Sequence, residues 1–146
     1  MILKLTLQDF ISIKIHKTDL LLTSFIKTKL EPFNLAPEQN LIMMLLWEQD
    51  GITQNQIVEK LDKDKTNIAR MASNLEKKGF VKRIECHEDR RSIRLYLTES
   101  GTKLGNQVIP IIEEFNEVVC KGISDEELLQ MERLLAIMKQ NVIDSM

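Results

Sequence analysis

Two short amphipathic segments joined by a few polar residues, followed at once by two alternating segments around a charged loop, constrain this chain more than any other feature. The first segment, TQNQIVEKLD from Thr53, puts Ile57, Val58 and Leu61 on one face, with Thr53 as the cap and Gln56 at the capping-box position. Residues 62–65, DKDK, make a tight polar connection. From Thr66 onward Ile68, Met71, Ala72 and Leu75 recur with the period of a second helix, which Lys77-Lys78-Gly79 closes with cations at its negative end and glycine beyond. Polar and apolar residues then alternate from Phe80 to Cys86, with Val81, Ile84 and Cys86 taken as the apolar set, and from Ile93 to Thr98, with Ile93, Leu95 and Leu97. These read as two short strands. Between them His87-Glu88-Asp89-Arg90-Arg91-Ser92 has the length of a hairpin loop and contains no glycine.

That order is a helix-turn-helix followed by a β-hairpin wing. Longer helical patterns flank it. From about Leu7 to Leu30, Phe10, Ile11, Leu20, Leu21, Phe25 and Ile26 mix with Lys14, Lys17 and Lys27 as in one long helix, with Pro32 as terminator. Pro37 and Glu38 suit a first helical turn, and Gln39 to Glu48 is apolar on nearly all sides, which places that helix at the buried centre before Asp50-Gly51 ends it. Thr98 caps a helix bearing Leu104, Val108, Ile112, Phe115 and Val119 up to a break at Gly122. Ser124 and Glu127 open the last helix, which carries Leu128, Met131, Leu134, Leu135, Met138 and Val142. The expected fold is mainly α with a small β-hairpin wing. A winged helix-turn-helix domain occupies residues 35–103, and residues 1–34 and 104–146 form a helical dimerisation region. The apolar residues at both ends exceed one buried stripe per helix, so a homodimer is expected.

The net charge of -2 conceals an uneven distribution. Residues 1–52 carry 5 basic and 6 acidic groups, residues 53–103 carry 12 and 8, and residues 104–146 carry 3 and 8, giving -1, +4 and -5. A positive middle suits a polyanion, because neutralising phosphates releases counterions and supplies sequence-independent affinity. The acidic last third is expected to face away from it. The longest apolar run, Leu41 to Trp47, is far shorter than the roughly 20 residues that cross a bilayer, and the first residues show no cleavage-site pattern. No membrane partner and a cytoplasmic location are therefore expected. Cys86 and Cys120 are too few for a disulfide framework and read as reduced, inert, buried thiols.

With Ile68, Met71, Ala72 and Leu75 turned inward, the second helix presents Lys65, Thr66, Asn67, Arg70, Ser73, Asn74 and Lys77 outward. Asn67, Asn74 and Arg70 carry groups that pair with adenine or guanine edges, and Lys65, Thr66, Ser73 and Lys77 suit phosphate oxygens of double-stranded DNA. Such a face on one helix alone is more often merely solvated. The loop that follows it adds weight, since Arg90 and Arg91 stand at a hairpin tip where a guanidinium can enter a narrow minor groove, and Asp89 can orient a neighbouring arginine.

From Leu35 to Gly101 the chain resembles the MarR family of bacterial regulators, most clearly in LEKKGFVKR (75–83), DRRSIRLYLTESG (89–101) and the ITQNQIVEKLDKDKTNIARM run before them. The resemblance implies a mainly helical homodimer whose terminal helices form the interface. It implies a recognition helix carrying Lys65, Thr66, Asn67 and Arg70, a wing arginine at Arg91 and Asp89 as its orienting partner, with Arg90 less clearly placed. It also implies a small aromatic or lipophilic effector bound between the helical dimer core and the winged domain. Members that sense oxidants use a cysteine near the start of the first helix, and this chain has none there.

Two other functional classes fit this sequence less well. An enzyme is disfavoured: His16 and His87 lie far apart, no glycine-rich phosphate loop or metal-ligand spacing occurs, and Cys86 and His87, adjacent at a strand end, point to opposite faces. No catalytic residue, metal or cofactor is expected, and the carboxylate pairs Glu113-Glu114 and Glu126-Glu127 read as helix surface and helix start. A winged-helix module used only for protein interaction would lack arginine and lysine on its recognition face. Met43, Met44, Met131 and Met138 read as core filler, Trp47 as buried for packing and His16 as exposed.

Overall fold

The structure, a computed structural model, describes residues 6–86 and 92–146. After a 3-10 turn at Leu7–Asp9 come α1 (Ile11–Leu30), α2 (Pro37–Glu48), α3 (Gln54–Leu61), α4 (Lys65–Lys77), β1 (Val81–Glu85), β2 (Ile93–Leu97), α5 (Glu99–Val119) and α6 (Asp125–Ser145). The fold is mainly helical with one antiparallel hairpin, as expected. The chain divides into two compact units, Met1–Ile112 and Glu113–Met146.

In the first unit the core gathers Leu30 and Leu35, Ile42, Met43 and Leu46 of α2, Ile52, Ile57 of α3, Ile68, Met71, Ala72 and Leu75 of α4, Val81, Leu95, and Leu104 and Val108 of α5. The α4 quartet is the periodic set read from the sequence. Burying Ile68, Met71 and Leu75 contributes about 1.5–3 kcal/mol each, enough to fix which face of α4 points outward. The capping box at Thr53 forms as expected: Gln56 N–H donates to Thr53 Oγ1 at 3.1 Å and Thr53 N–H to Gln56 Oε1 at 2.8 Å. Asp62, in the left-handed region at φ 52, ends α3, and Asp64 in an extended conformation begins α4. The helix pair is thus joined by the tight polar turn predicted.

The end of α4 is a Schellman closure. Phe80 N–H donates to Leu75 O at 3.1 Å and Gly79 N–H to Glu76 O at 2.9 Å, with Gly79 at φ 84, where a side chain is strained. In the hairpin, Val81 pairs with Leu97, Arg83 with Leu95 and Glu85 with Ile93. Alternation therefore puts Val81 on the inner face and Ile84 on the outer one, where it is exposed, correcting the grouping of Ile84 with Val81. A further pairing escaped the sequence reading. Gly51 N–H donates to Leu95 O at 3.1 Å, Leu95 N–H to Ile52 O at 2.9 Å, and Thr53 forms an isolated antiparallel bridge with Arg94, so residues 51–53 run alongside β2.

Other expectations also need correcting. Only Met43 of the four methionines is in the core; Met44 and Met131 are exposed and Met138 is half-buried. Leu41 is exposed beside Met44, so α2 is buried on one side, not all round. Cys86 and Cys120 are half-buried. Trp47 is half-buried, packed against the core with its indole N–H donating to Gly101 O at 3.0 Å. His16 is exposed, as read. Along α1, Ile11, Ile15, Leu20, Leu21 and Phe25 are exposed.

The second unit holds the last residues of α5, a break with Gly122 at φ 81, and α6. The expected capping box starts α6, with Glu127 N–H donating to Ser124 Oγ at 3.1 Å and Ser124 N–H to Glu127 Oε1 at 3.0 Å. No residue of α6 is buried, and Met131, Leu134, Leu135 and Val142 lie exposed at helical spacing. Among the described residues, no helix is long and apolar enough to cross a membrane.

Candidate nucleic-acid interface

The outward face of α4 carries Lys65, Thr66, Arg70 and Lys77 exposed to solvent, with Asn67, Ser73 and Asn74 half-buried along its edge. Core burial on the opposite side sets this arrangement. At the start of the helix the side chains are linked. Asp64 Oδ1 accepts the Asn67 backbone N–H at 2.7 Å, Asp64 Oδ2 accepts Asn67 Nδ2 at 2.8 Å, and Asn67 Oδ1 accepts Arg70 Nη2 at 2.8 Å. Asp64 was absent from the sequence-based candidates. The signal for it was the DxxNxxR spacing, in which each residue stands one helical turn from the next.

Lys78, next to exposed Lys77, turns inward instead. Its Nζ donates to Asn34 O at 2.8 Å and to Gln39 Oε1 at 2.7 Å, tying the end of α4 to the start of α2.

The hairpin is clamped to α4 by Glu76 and Arg83. Arg83 Nη2 and Nε reach Glu76 Oε1 at 3.1 and 3.2 Å, while the Arg83 backbone N–H donates to Glu76 Oε2 at 2.9 Å. That backbone bond, chiefly, holds the Glu76 carboxyl below its ordinary value of 4.5, with the guanidinium adding to it. A carboxylate whose folded value is depressed contributes stability above its unfolded value and loses it as pH falls through the folded one. Glu76→Gln is accordingly expected to melt below the parent at pH 7, and the gap is expected to close as pH drops below about 4.5. Thermal melts of both proteins across that range check this; a gap that is independent of pH would rule the clamp out as its cause.

The outer face of the hairpin presents Lys82 and Arg94, both exposed, beside Ile84 and Tyr96. Arg94 Nη1 donates to Gly51 O at 2.7 Å, which orients its guanidinium. Neither cation was among the sequence candidates, although strict two-residue alternation from buried Val81 and Leu95 places both outward. Asp89, Arg90 and Arg91 lie outside the described residues. Among the described residues, no group of three or more His, Cys, Asp or Glu side chains is arranged to hold a metal ion.

What this surface can do follows from its donors. The exposed cations of α4, the outer hairpin cations and a helix narrow enough to enter a major groove suit an acceptor-lined, negatively charged ligand. Residues 35–93 match the MarR family model. A MarR transcriptional regulator from Methanosarcina mazei Go1 is 32% identical, with 90% of this chain and 98% of that one covered, at a TM-score of 0.72. The structure of a MepR–DNA complex from S. aureus is 28% identical, covering 90% of this chain and 98% of that one, at 0.83. A protein assigned to the same family from Listeria monocytogenes, complexed with a 26mer DNA, is 28% identical, covering 98% and 92%, at 0.80.

Proposed function

This chain belongs to the MarR family, and from that premise we propose that it is a sequence-specific, double-stranded-DNA-binding transcriptional regulator, a repressor acting as a homodimer on an inverted-repeat operator. The observation that carries the reading is the basic, outward face of α4 held rigidly beside a hairpin with cations on its own outer face. In this reading Lys65, Thr66, Asn67, Arg70, Ser73, Asn74 and Lys77 meet the major groove and its phosphates. Arg91, with Arg90 beside it and Asp89 orienting it, enters the flanking minor groove; the support for that part is the family resemblance. Residues 35–103 are the DNA-binding domain, and residues 1–34 and 104–146 supply the dimer interface. The apolar residues exposed on α1 and on α6 support a dimer that covers them. Two copies related by a two-fold axis present two recognition helices to half-sites about one helical turn apart.

Regulation by a small aromatic or lipophilic effector belongs to the same reading. Linkage requires the effector to bind the free dimer more tightly than the DNA-bound dimer, by the factor by which it weakens DNA binding.

A gel-shift with DNA from the gene's own upstream region, alongside sedimentation, tests the proposal. The expected mass is twice 17.0 kDa, and the expected shift is specific. A monomer at micromolar concentration overturns the dimer. Specific binding by neither parent nor dimer-rich fractions favours a protein-interaction module instead. Arg70→Ala is expected to cost roughly 1–3 kcal/mol per subunit and to relax base preference, read as affinity across operator variants.

A further inference from the structure

We infer that Asp64 is a specificity-determining positioning residue, which commits the N-terminal turn of α4 to a guanine edge through Asn67 and Arg70. The inference rests on the DNA-binding reading above and deepens it. An asparagine free to rotate reads adenine by offering a carbonyl and an amino group together, whereas an arginine reads guanine by offering donors to O6 and N7. In this chain the two residues are not independent. Asp64 accepts both the backbone N–H of Asn67 at 2.7 Å and its side-chain amino group at 2.8 Å, so the amide is oriented from behind. A carboxylate has no proton to donate, so only the amino end of that amide can face it. The carbonyl end is thereby turned toward Arg70, whose Nη2 it accepts at 2.8 Å.

The consequence is a fixed guanidinium with its remaining N–H groups still available and a carbonyl already engaged by a cation. An adenine approaching this turn brings its own amino donor against those donors. A guanine brings two acceptors. Arg70 is exposed, so it is free to meet a base edge while Asn67 holds it. Holding it beforehand removes part of the ordering cost of binding.

The test separates the cap from the relay. Asp64→Asn and Asp64→Ser both keep an oxygen that can cap the helix through the Asn67 backbone N–H. In Asp64→Asn the introduced amino group faces Asn67 and favours the flipped amide, which turns a donor toward Arg70 and releases it. In Asp64→Ser the single oxygen caps the helix and leaves the Asn67 amide unheld. Full-length parent and both variants are taken through selection from randomised duplexes, and affinities are then measured for the selected duplex with G·C or A·T at the position where Arg70→Ala removes the preference. The parent is expected to prefer G·C by about tenfold or more. Both variants are expected to lose most of that preference while keeping the parent's melting behaviour and salt dependence. Retention of the parent's preference in Asp64→Asn overturns the inference alone, as does a parent that selects adenine there. A parent that enriches no sequence overturns the DNA-binding reading and this inference with it.

Discussion

Gly101→Ala is expected to lower stability by about 3 kcal/mol, a shift in melting temperature of roughly 10 °C for a chain of this size. Two effects of opposite sign compete. Alanine is favoured over glycine in a helix by about 1 kcal/mol, and Gly101 lies in the first turn of α5, so propensity alone predicts stabilisation. Against that, a Cβ at this position stands 2.1 Å from the carbonyl oxygen of Phe80, a distance no packing tolerates. The oxygen is backbone and is held in place, since it accepts Thr98 N–H at 3.1 Å while Thr98 Oγ1 donates to Gly79 O at 2.6 Å. Relief therefore means moving α5 away from the start of β1, and overpacking wins. Gly105→Ala makes the useful contrast. There the Cβ meets Trp47 Nε1 at 2.7 Å, the edge of a side chain that can swing at the expense of its 3.0 Å bond to Gly101 O, so a loss of only about 1 kcal/mol is expected. Thermal or denaturant unfolding of the two variants decides it; a Gly101→Ala protein that melts with the parent would show that this junction yields.

DNA affinity is expected to fall by about three to five orders of magnitude between 50 and 200 mM salt, as roughly six to ten phosphate contacts are made, the largest effect of any condition on the proposed function. Lys65, Arg70, Lys77, Lys82 and Arg94 are exposed in each copy, and a dimer doubles the set. Lys78 is left out of the set, because its ammonium is turned inward onto Asn34 O and Gln39 Oε1 and is not presented with the exposed cations. Lys82→Ala is expected to weaken all sequences alike and to make the salt slope shallower by about one ion per subunit, whereas Lys78→Ala is expected to lower stability and leave the slope alone. Fluorescence anisotropy titrations over a salt series read both. Affinity that stays flat over the range would exclude this face as the docking surface.

How much of this was legible beforehand depends on the reach of the interactions concerned. The capping boxes at Thr53 and Ser124 involve partners three residues away, and the α4 quartet repeats with the helix period, so each is written into a short stretch. The outward set of α4 follows from that quartet by subtraction. Contacts across long separations left no such trace. The indole of Trp47 reaching Gly101, Arg94 reaching Gly51, and Asp50 Oδ1 accepting Leu97 N–H at 2.8 Å join residues that only the folded chain brings together. The hairpin error had another cause: Val81 and Ile84 are three apart, a helical spacing, and grouping them ignored the strand's period of two. Met44 and Met131 were assigned to the core because apolar character was read as burial, whereas much of any protein surface is apolar. Asp64 was passed over for a different reason, since two aspartates flank Lys63 and only the backbone turn at Asp62 decides which of them begins the helix.

The closure between α4 and β1 bears on how such a protein diversifies. Lys77 ends the helix, Val81 begins the strand, the Schellman bonds fill the interval and Glu76 grips Arg83 across it. No residue can be inserted there without breaking a bond, so the offset between helix and hairpin is inherited as a single module. The exposed side chains of α4 carry no such obligation. In the proposed reading, a changed operator is met by changing letters on one helix face, while the offset between that face and the hairpin stays fixed.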